Sequence, residues 1–374
     1  MRTKCIQILF ILGLVITSSC IEKTKPTQNE KQSITIKEVN SRIKLSKLFS
    51  SINYIPLQTT NESLIGTIEK IYIKNNIIYM IDGFLQNTNI KTFTTEGQFI
   101  KEIGDIGKGP KEIMGPRDLY IYNDTLFIWD KKGIHSFSLS GEYQKHIFNA
   151  FLPGNNFFYW HNHFYLFHGY NKPGLLTRYN IKGKVLKIYY PIDYWLGGAE
   201  GEHINKINNN TFSLFSPNSD IIYYLKNDSL ISKYEIKCKT VESFSKLLLK
   251  YRNLSPPERL KKINNISHYT TLLFLENKNY IYLKYIIRNK PYILIINKNT
   301  GKKVYFNDNI NKGVYNDAIY ITNENELVIP LYPYDILNYI KKHKNKLNTT
   351  KFYSIVKDVS SNDNPVLMFC KLKI

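Results

Sequence analysis

Disulfides cannot stabilise this chain to any extent, because it has only four cysteines in 374 residues. Cys5 and Cys20 fall in an N-terminal leader. The repeat described below puts Cys238 and Cys370 in distant parts of the fold, beyond bridging reach, and both are expected as buried free thiols. Long apolar runs are missing too. The apolar stretch of the leader, Ile6 to Ile16, holds eleven residues, short of the ~20 that a membrane-spanning helix needs.

Acidic residues are also scarce, 30 against 51 lysines and arginines, which leaves a formal charge of +21. Such an excess draws polyanions: nucleic acid, anionic lipid headgroups or acidic glycans. Here the lysines are spread along the whole chain and accompany abundant Ile, Asn and Tyr, the mark of AT-rich codon usage. They read as solvated surface, and nucleic acid is not an expected partner.

What the sequence does have is one pattern six times over: a short apolar strand, a polar turn and a second apolar strand. The units begin at Ile71, Leu119, Phe157, Asn205, Leu272 and Ile319. Equivalent positions Tyr79, Phe127, Tyr165, Ser213, Tyr282 and Val328 are 48, 38, 48, 69 and 46 residues apart. The long interval contains residues 241–263, which lose the period of two and read as helical segments broken at Pro256 and Pro257. A second hairpin follows in each unit, turning at pairs such as Glu96-Gly97, Ser140-Gly141, Lys182-Gly183 and Thr300-Gly301. Two hairpins make a four-stranded blade, and strands repeating at this period predict an all-β, six-bladed propeller from about residue 34 to 374. A β-sandwich would also alternate, but rarely repeats a four-strand unit like for like. The sixth unit lacks its outer strand, and Ile52 to Gln58 is predicted to supply it, closing the ring without an exposed edge.

The first twenty residues read as a processing signal. Arg2 and Lys4 precede the apolar stretch, and Thr17-Ser18-Ser19 lead to Cys20 in the manner of a bacterial lipobox, with Thr17 where Leu is usual. Cys20 is therefore the expected lipidation site, and removal of the signal lowers the charge to +19. Residues 21–33 contain little apolar surface and read as a flexible tether. The expected address is the cell envelope, lipid-anchored at the outer membrane.

Three crossovers between blades carry the residues worth testing. The first runs from Gly104 to Glu112 and includes Gly107, Lys108, Gly109 and Pro110, with Arg117 and Asp118 just beyond it on the same candidate face. Its glycines would let backbone N–H groups converge on an anion, or simply turn the chain, with Glu112 tying it down. No Gly-Lys-Ser/Thr ending or helix follows, so it is not a P-loop. The second contains Glu200, Glu202 and His203, able in principle to hold a cation or to act as acid and base. The third puts Asp317 near the central funnel. His161, His163 and His168 gather in the third blade, but the repeat assigns them to a turn, a strand start and a strand end, where a zinc set is not expected. Asp82 and Asp130 share the slot of His168 and are expected to accept turn hydrogen bonds. Trp129 and Trp160 fit packing between blades better than sugar platforms. Asp124-Thr125-Leu126 and Asp228-Ser229-Leu230 match a short O-glycosylation signal, although turn chemistry alone favours the same residues.

The pattern Gly107-x-Gly109-Pro110-x-Glu112, after the Phe93…Glu96-Gly97…Ile100 hairpin, resembles the six-bladed β-propeller lipoproteins of Bacteroidetes. An aromatic usually follows, and Ile113 takes that position here. The resemblance runs from Tyr54-Ile55-Pro56-Leu57 to Asn364-Pro365-Val366-Leu367. It implies an NHL-like propeller and an envelope address, without an established activity. The reading that results is a non-catalytic, monomeric scaffold for an envelope protein, peptide or glycan, touching the membrane through its lipid alone. The alternative is an NHL-like hydrolase or lyase with a metal, Ca or Zn, in its funnel. No cofactor is implied otherwise.

Overall fold

A computed structural model describes residues 21–25, 31–40, 43–84, 87–149, 156–169, 172–191, 203–217, 219–307, 317–347 and 350–374. Its strands form six separate sheets, one per predicted unit. Blade 1 is Ile68–Lys74, Ile77–Phe84, Asn87–Thr94 and Phe99–Glu102, paired antiparallel in that order from the axis outwards. Blades 2 to 5 repeat the arrangement from Asp118, Asn156, His203 and His268. The strands read as strands because Tyr, Ile, Phe and Val recur on alternate positions, and the tight turns take residues that tolerate positive φ. Asn75-Asn76, His161-Asn162 and Asn227-Asp228 have φ between 46° and 61°, the hairpin geometry whose twist matches that of the strands it joins.

The ring closes as predicted. Blade 6 is ordered Tyr320–Ile321, Glu326–Leu331, Val366–Leu372 and Phe49–Pro56, so its outermost strand comes from the start of the chain. Two devices fasten this joint. Asn364, buried, donates to the Gln58 and Ser63 carbonyls at 2.7 and 2.8 Å and accepts from the Ile65 N–H at 2.8 Å. Gly97, at φ +91°, presses against the Pro56 carbonyl so closely that a Cβ would collide with it, and its own carbonyl accepts from the Gln58 N–H at 2.8 Å.

Apolar clusters between blades carry the cohesion. Phe158, for example, stacks on Tyr165 within its blade and on Phe212 of the next, with centroids 4.8 and 4.2 Å apart. Trp129 and Trp160 are buried in the same cluster, as packing residues.

Helices Phe244–Lys250 and Pro256–Asn264 form the expected insertion, with the proline pair starting the second helix. Two further helices, Pro333–Leu347 and Lys351–Val356, lie between the second and third strands of blade 6 and were not anticipated. Ile336, Phe352 and Val356 bury against blade 6. No helix among the described residues is long and apolar enough to cross a membrane.

The start of the chain differs from the expectation of a flexible tether over 21–33. Glu22–Thr24 pairs in parallel with the outer strand of blade 3, and Gln32–Ile36 with that of blade 4. Thr35 and Lys37 carbonyls then accept from Tyr305 and Tyr285 of blade 5 at 2.9 and 2.8 Å. Its described parts, 21–25 and 31–40, thus form a belt along the outer strands of blades 3, 4 and 5. The thiols need one correction: Cys370 is buried, whereas Cys238, at a strand end, is half-buried.

Candidate functional site

Strands alternate in direction within each blade, so the crossovers open on one face of the ring and the hairpins that begin each blade on the other. On the crossover face, residues 104–118 form a closed unit. Glu112 accepts the Gly109 N–H at 2.6 Å, and a Cβ at Gly107 would strike the same carboxylate. The Gly107 N–H goes to the Ile113 carbonyl at 3.0 Å, while Lys132 donates to the Gly109 and Glu112 carbonyls, both at 2.8 Å. The position that a bound anion would take is thus held by the chain's own Glu112. Lys108, Pro110 and Arg117 remain exposed around it.

Asp118 is fully buried and joins three blades. It pairs with Lys70 of blade 1 and accepts the N–H groups of Leu119 at 2.8 Å and of Phe157, in blade 3, at 2.7 Å. Burial lifts its pKa above the ordinary value, against the pull of Lys70 and these hydrogen bonds. Asp317 pairs with Lys284, in the second strand of blade 5. Glu200 and Glu202 lie outside the described residues, as do the signal over 1–20 and Cys20; His203 begins the inner strand of blade 4. The sequence's three acidic crossovers are therefore not brought together by any described contact.

The remaining polar residues have structural partners. His161 sits in the turn, His163 starts its strand, and His168 is buried against the Thr177 hydroxyl at 3.0 Å. Asp82 and Asp130 accept from the crossovers entering their own blades. On the inner strands the Tyr72 hydroxyl donates to the Ile121 carbonyl of the next blade at 3.3 Å, and burial pushes its pKa up to about 12. Among the described residues, no three His, Cys, Asp or Glu side chains gather as metal ligands. Asp228 accepts from Arg178 at 2.7 Å and from Tyr189, linking blade 4 to blade 3; Ser229 beside it is exposed, and Thr125 is partly so.

Sequence reasoning missed a cleft on the hairpin face between blades 4 and 5, about 640 Å³ in volume. Its basic lining is Lys226, Lys233, Lys298 and Lys303, from the outer hairpins of both blades, and its lining includes no acid. The belt residues Gln32, Ser33 and Ile34 wall one side. Beneath it lies Glu276, with a fully buried side chain. Oε1 accepts from Lys298 at 2.7 Å and from the Tyr224 hydroxyl, while Oε2 has no hydrogen-bond partner. Burial, then the carboxylate, raise the Tyr224 pKa strongly. The one signal in the sequence was local: the outer turns of two successive blades, Lys226-Asn227-Asp228 and Lys298-Asn299-Thr300, are both flanked by lysine.

No curated protein matches the sequence. Among solved structures, a Bacteroides fragilis protein described as exported superposes with a TM-score of 0.75 at 15% identity, over 95% of this chain and 100% of that one. A luciferin-regenerating enzyme gives 0.43 at 9% identity, covering 87% of this chain and 100% of that one. The calcium-binding regucalcin of Agrobacterium tumefaciens gives 0.42 at 9% identity, over 84% and 94%. The first of these likenesses agrees with the six-bladed ring described above. A family model spans nearly the whole propeller, residues 31–371, and by that match the chain belongs to the family defined by the domain of unknown function DUF4934.

Proposed function

We propose that this protein is a non-catalytic binding module of the cell envelope, lipidated at Cys20, that holds a protein, peptide or glycan partner on a face of its propeller. The observation that carries this reading is the lysine- and tyrosine-lined cleft between blades 4 and 5, a concave site of the size that ligand pockets have. The acid and base groups of the crossover face support it differently. Glu112 and Asp118 are engaged by their own backbone and neighbouring blades, as groups that hold shape.

The envelope address rests on the signal ending at Cys20. Glu22–Thr24 already lies on the rim of blade 3, so a lipid on Cys20 would hold the propeller by its edge and leave both faces free. Labelling cells with a palmitate analogue tests the address: the protein should carry the label and Cys20→Ala should not. An unlabelled wild-type protein would overturn the anchor. Measured turnover of any substrate at the propeller would overturn the non-catalytic reading.

A further inference from the structure

We propose that the cleft between blades 4 and 5 is a subsite for a carboxylate-bearing sugar, such as a uronic acid unit of an acidic glycan. This deepens the binding reading above and rests on it.

The charge of the site comes first. Of the four lysines, Lys298 is matched by Glu276, and Lys233 lies over the Tyr234 and Tyr224 rings at 5.6 and 5.9 Å. Lys226 and Lys303 have no carboxylate partner among the described residues, although Lys226 directly precedes the Asn227-Asp228 turn. An occupant must therefore bring negative charge. Glu276, buried below, repels an anion that goes deeper, so the charge of the ligand belongs at the lysine-lined level.

The rest of the lining describes the rest of the ligand. Gln32, Asn208, Thr211 and Ser232 offer amides and hydroxyls that both donate and accept, which suits sugar hydroxyls. Isoleucines at 207, 231, 281 and 296 supply an apolar wall, the complement of the C–H face of a pyranose. Arginine forks, which favour phosphate, are not part of this lining. The Tyr224 and Tyr234 rings are occupied by Lys233 rather than presented for base stacking.

The test is calorimetric titration of the purified protein with galacturonate oligomers and with their methyl esters. Binding should be lost on esterification and weaken at least about tenfold in the double variant Lys226→Ala/Lys303→Ala. The pair Lys108→Ala/Lys111→Ala, on the opposite face, should bind as wild type does. Circular dichroism confirms that each variant is folded. Equal binding of acid and ester, or an unchanged cleft variant, would overturn the proposal. A peptide or protein ligand that is sensitive to Lys226 and Lys303, with no glycan bound, would overturn the sugar and leave the binding module standing. Hydrolysis of the oligomers would overturn the binding reading itself.

Discussion

Asp130 accepts the backbone N–H of Met114 at 2.6 Å, sixteen residues upstream. Asp82 does the same to Gly66 at 2.8 Å across the same interval. One slot of the repeat thus pins the crossover that enters its own blade. Asp130 accepts further from Lys132 and Gly133 N–H groups at 2.7 and 3.0 Å and from His135 at 3.1 Å. Burial pushes its pKa up, but His135 and the N–H donors outweigh burial and hold it below the ordinary carboxylate value.

Asp130→Asn should lower stability by about 2 kcal/mol at neutral pH, because it loses a charged acceptor in a buried network. A depressed carboxylate stabilises above its unfolded pKa, and that contribution disappears as pH falls through the folded value. The gap between wild type and variant should therefore begin to narrow near about pH 4 and close only below the folded value, as read in urea melts. A gap independent of pH would contradict the assignment.

Ring closure rests on Asn364 and Gly97. Asn364→Ala takes this partner from the buried Ser63 carbonyl and the Ile65 N–H, while the Gln58 carbonyl keeps the Ser63 hydroxyl, and should cost about 2 kcal/mol. Gly97→Ala adds a Cβ at φ +91° against the Pro56 carbonyl and should cost about 2 kcal/mol or more. Thermal melts of the two variants check this. Substitutions within about 0.5 kcal/mol of wild type would mean that the joint tolerates slack.

Asp118 links blades 1, 2 and 3, and its raised pKa says that the site disfavours the charge it holds. Neutral Asn can still accept from Phe157, so Asp118→Asn should cost about 1 kcal/mol and Asp118→Ala about 3. Denaturation with equal losses for both would deny the hydrogen bond its part. Neither should change binding in the cleft.

Burial pushes the Cys370 thiol far up, whereas Cys238 is half-exposed at a strand end. A thiol reagent should label Cys238 in the native protein and Cys370 only after unfolding, as read by mass spectrometry. Rapid native labelling of Cys370 would contradict the packing of the last strand.

The ring was legible because its signals are local. Turn residues such as Asn75-Asn76 and alternating aromatics fix each hairpin without reference to the rest of the chain. Even closure was readable, since a missing strand at one end matched a spare one at the other. The belt was not legible: Glu22–Thr24 is largely exposed and joins blade 3 by backbone pairing and a Glu22–Lys187 ion pair at 2.9 Å, which leave no apolar period. The helices of blade 6 did carry a helical period, at Ile336, Tyr339 and Ile340, but they interrupt a unit between its second and third strands, where the repeat gave no anchor. The cleft escaped for a third reason. Residues 32–34, 226–233 and 296–303 meet only in space.

Hydrogen exchange with a bound acidic oligosaccharide tests the central claim, that the working surface is the hairpin face. The account predicts protection at 224–234 and 296–303, with 104–117 unchanged. Protection at 104–117 with none beside Lys226 and Lys303 would contradict it.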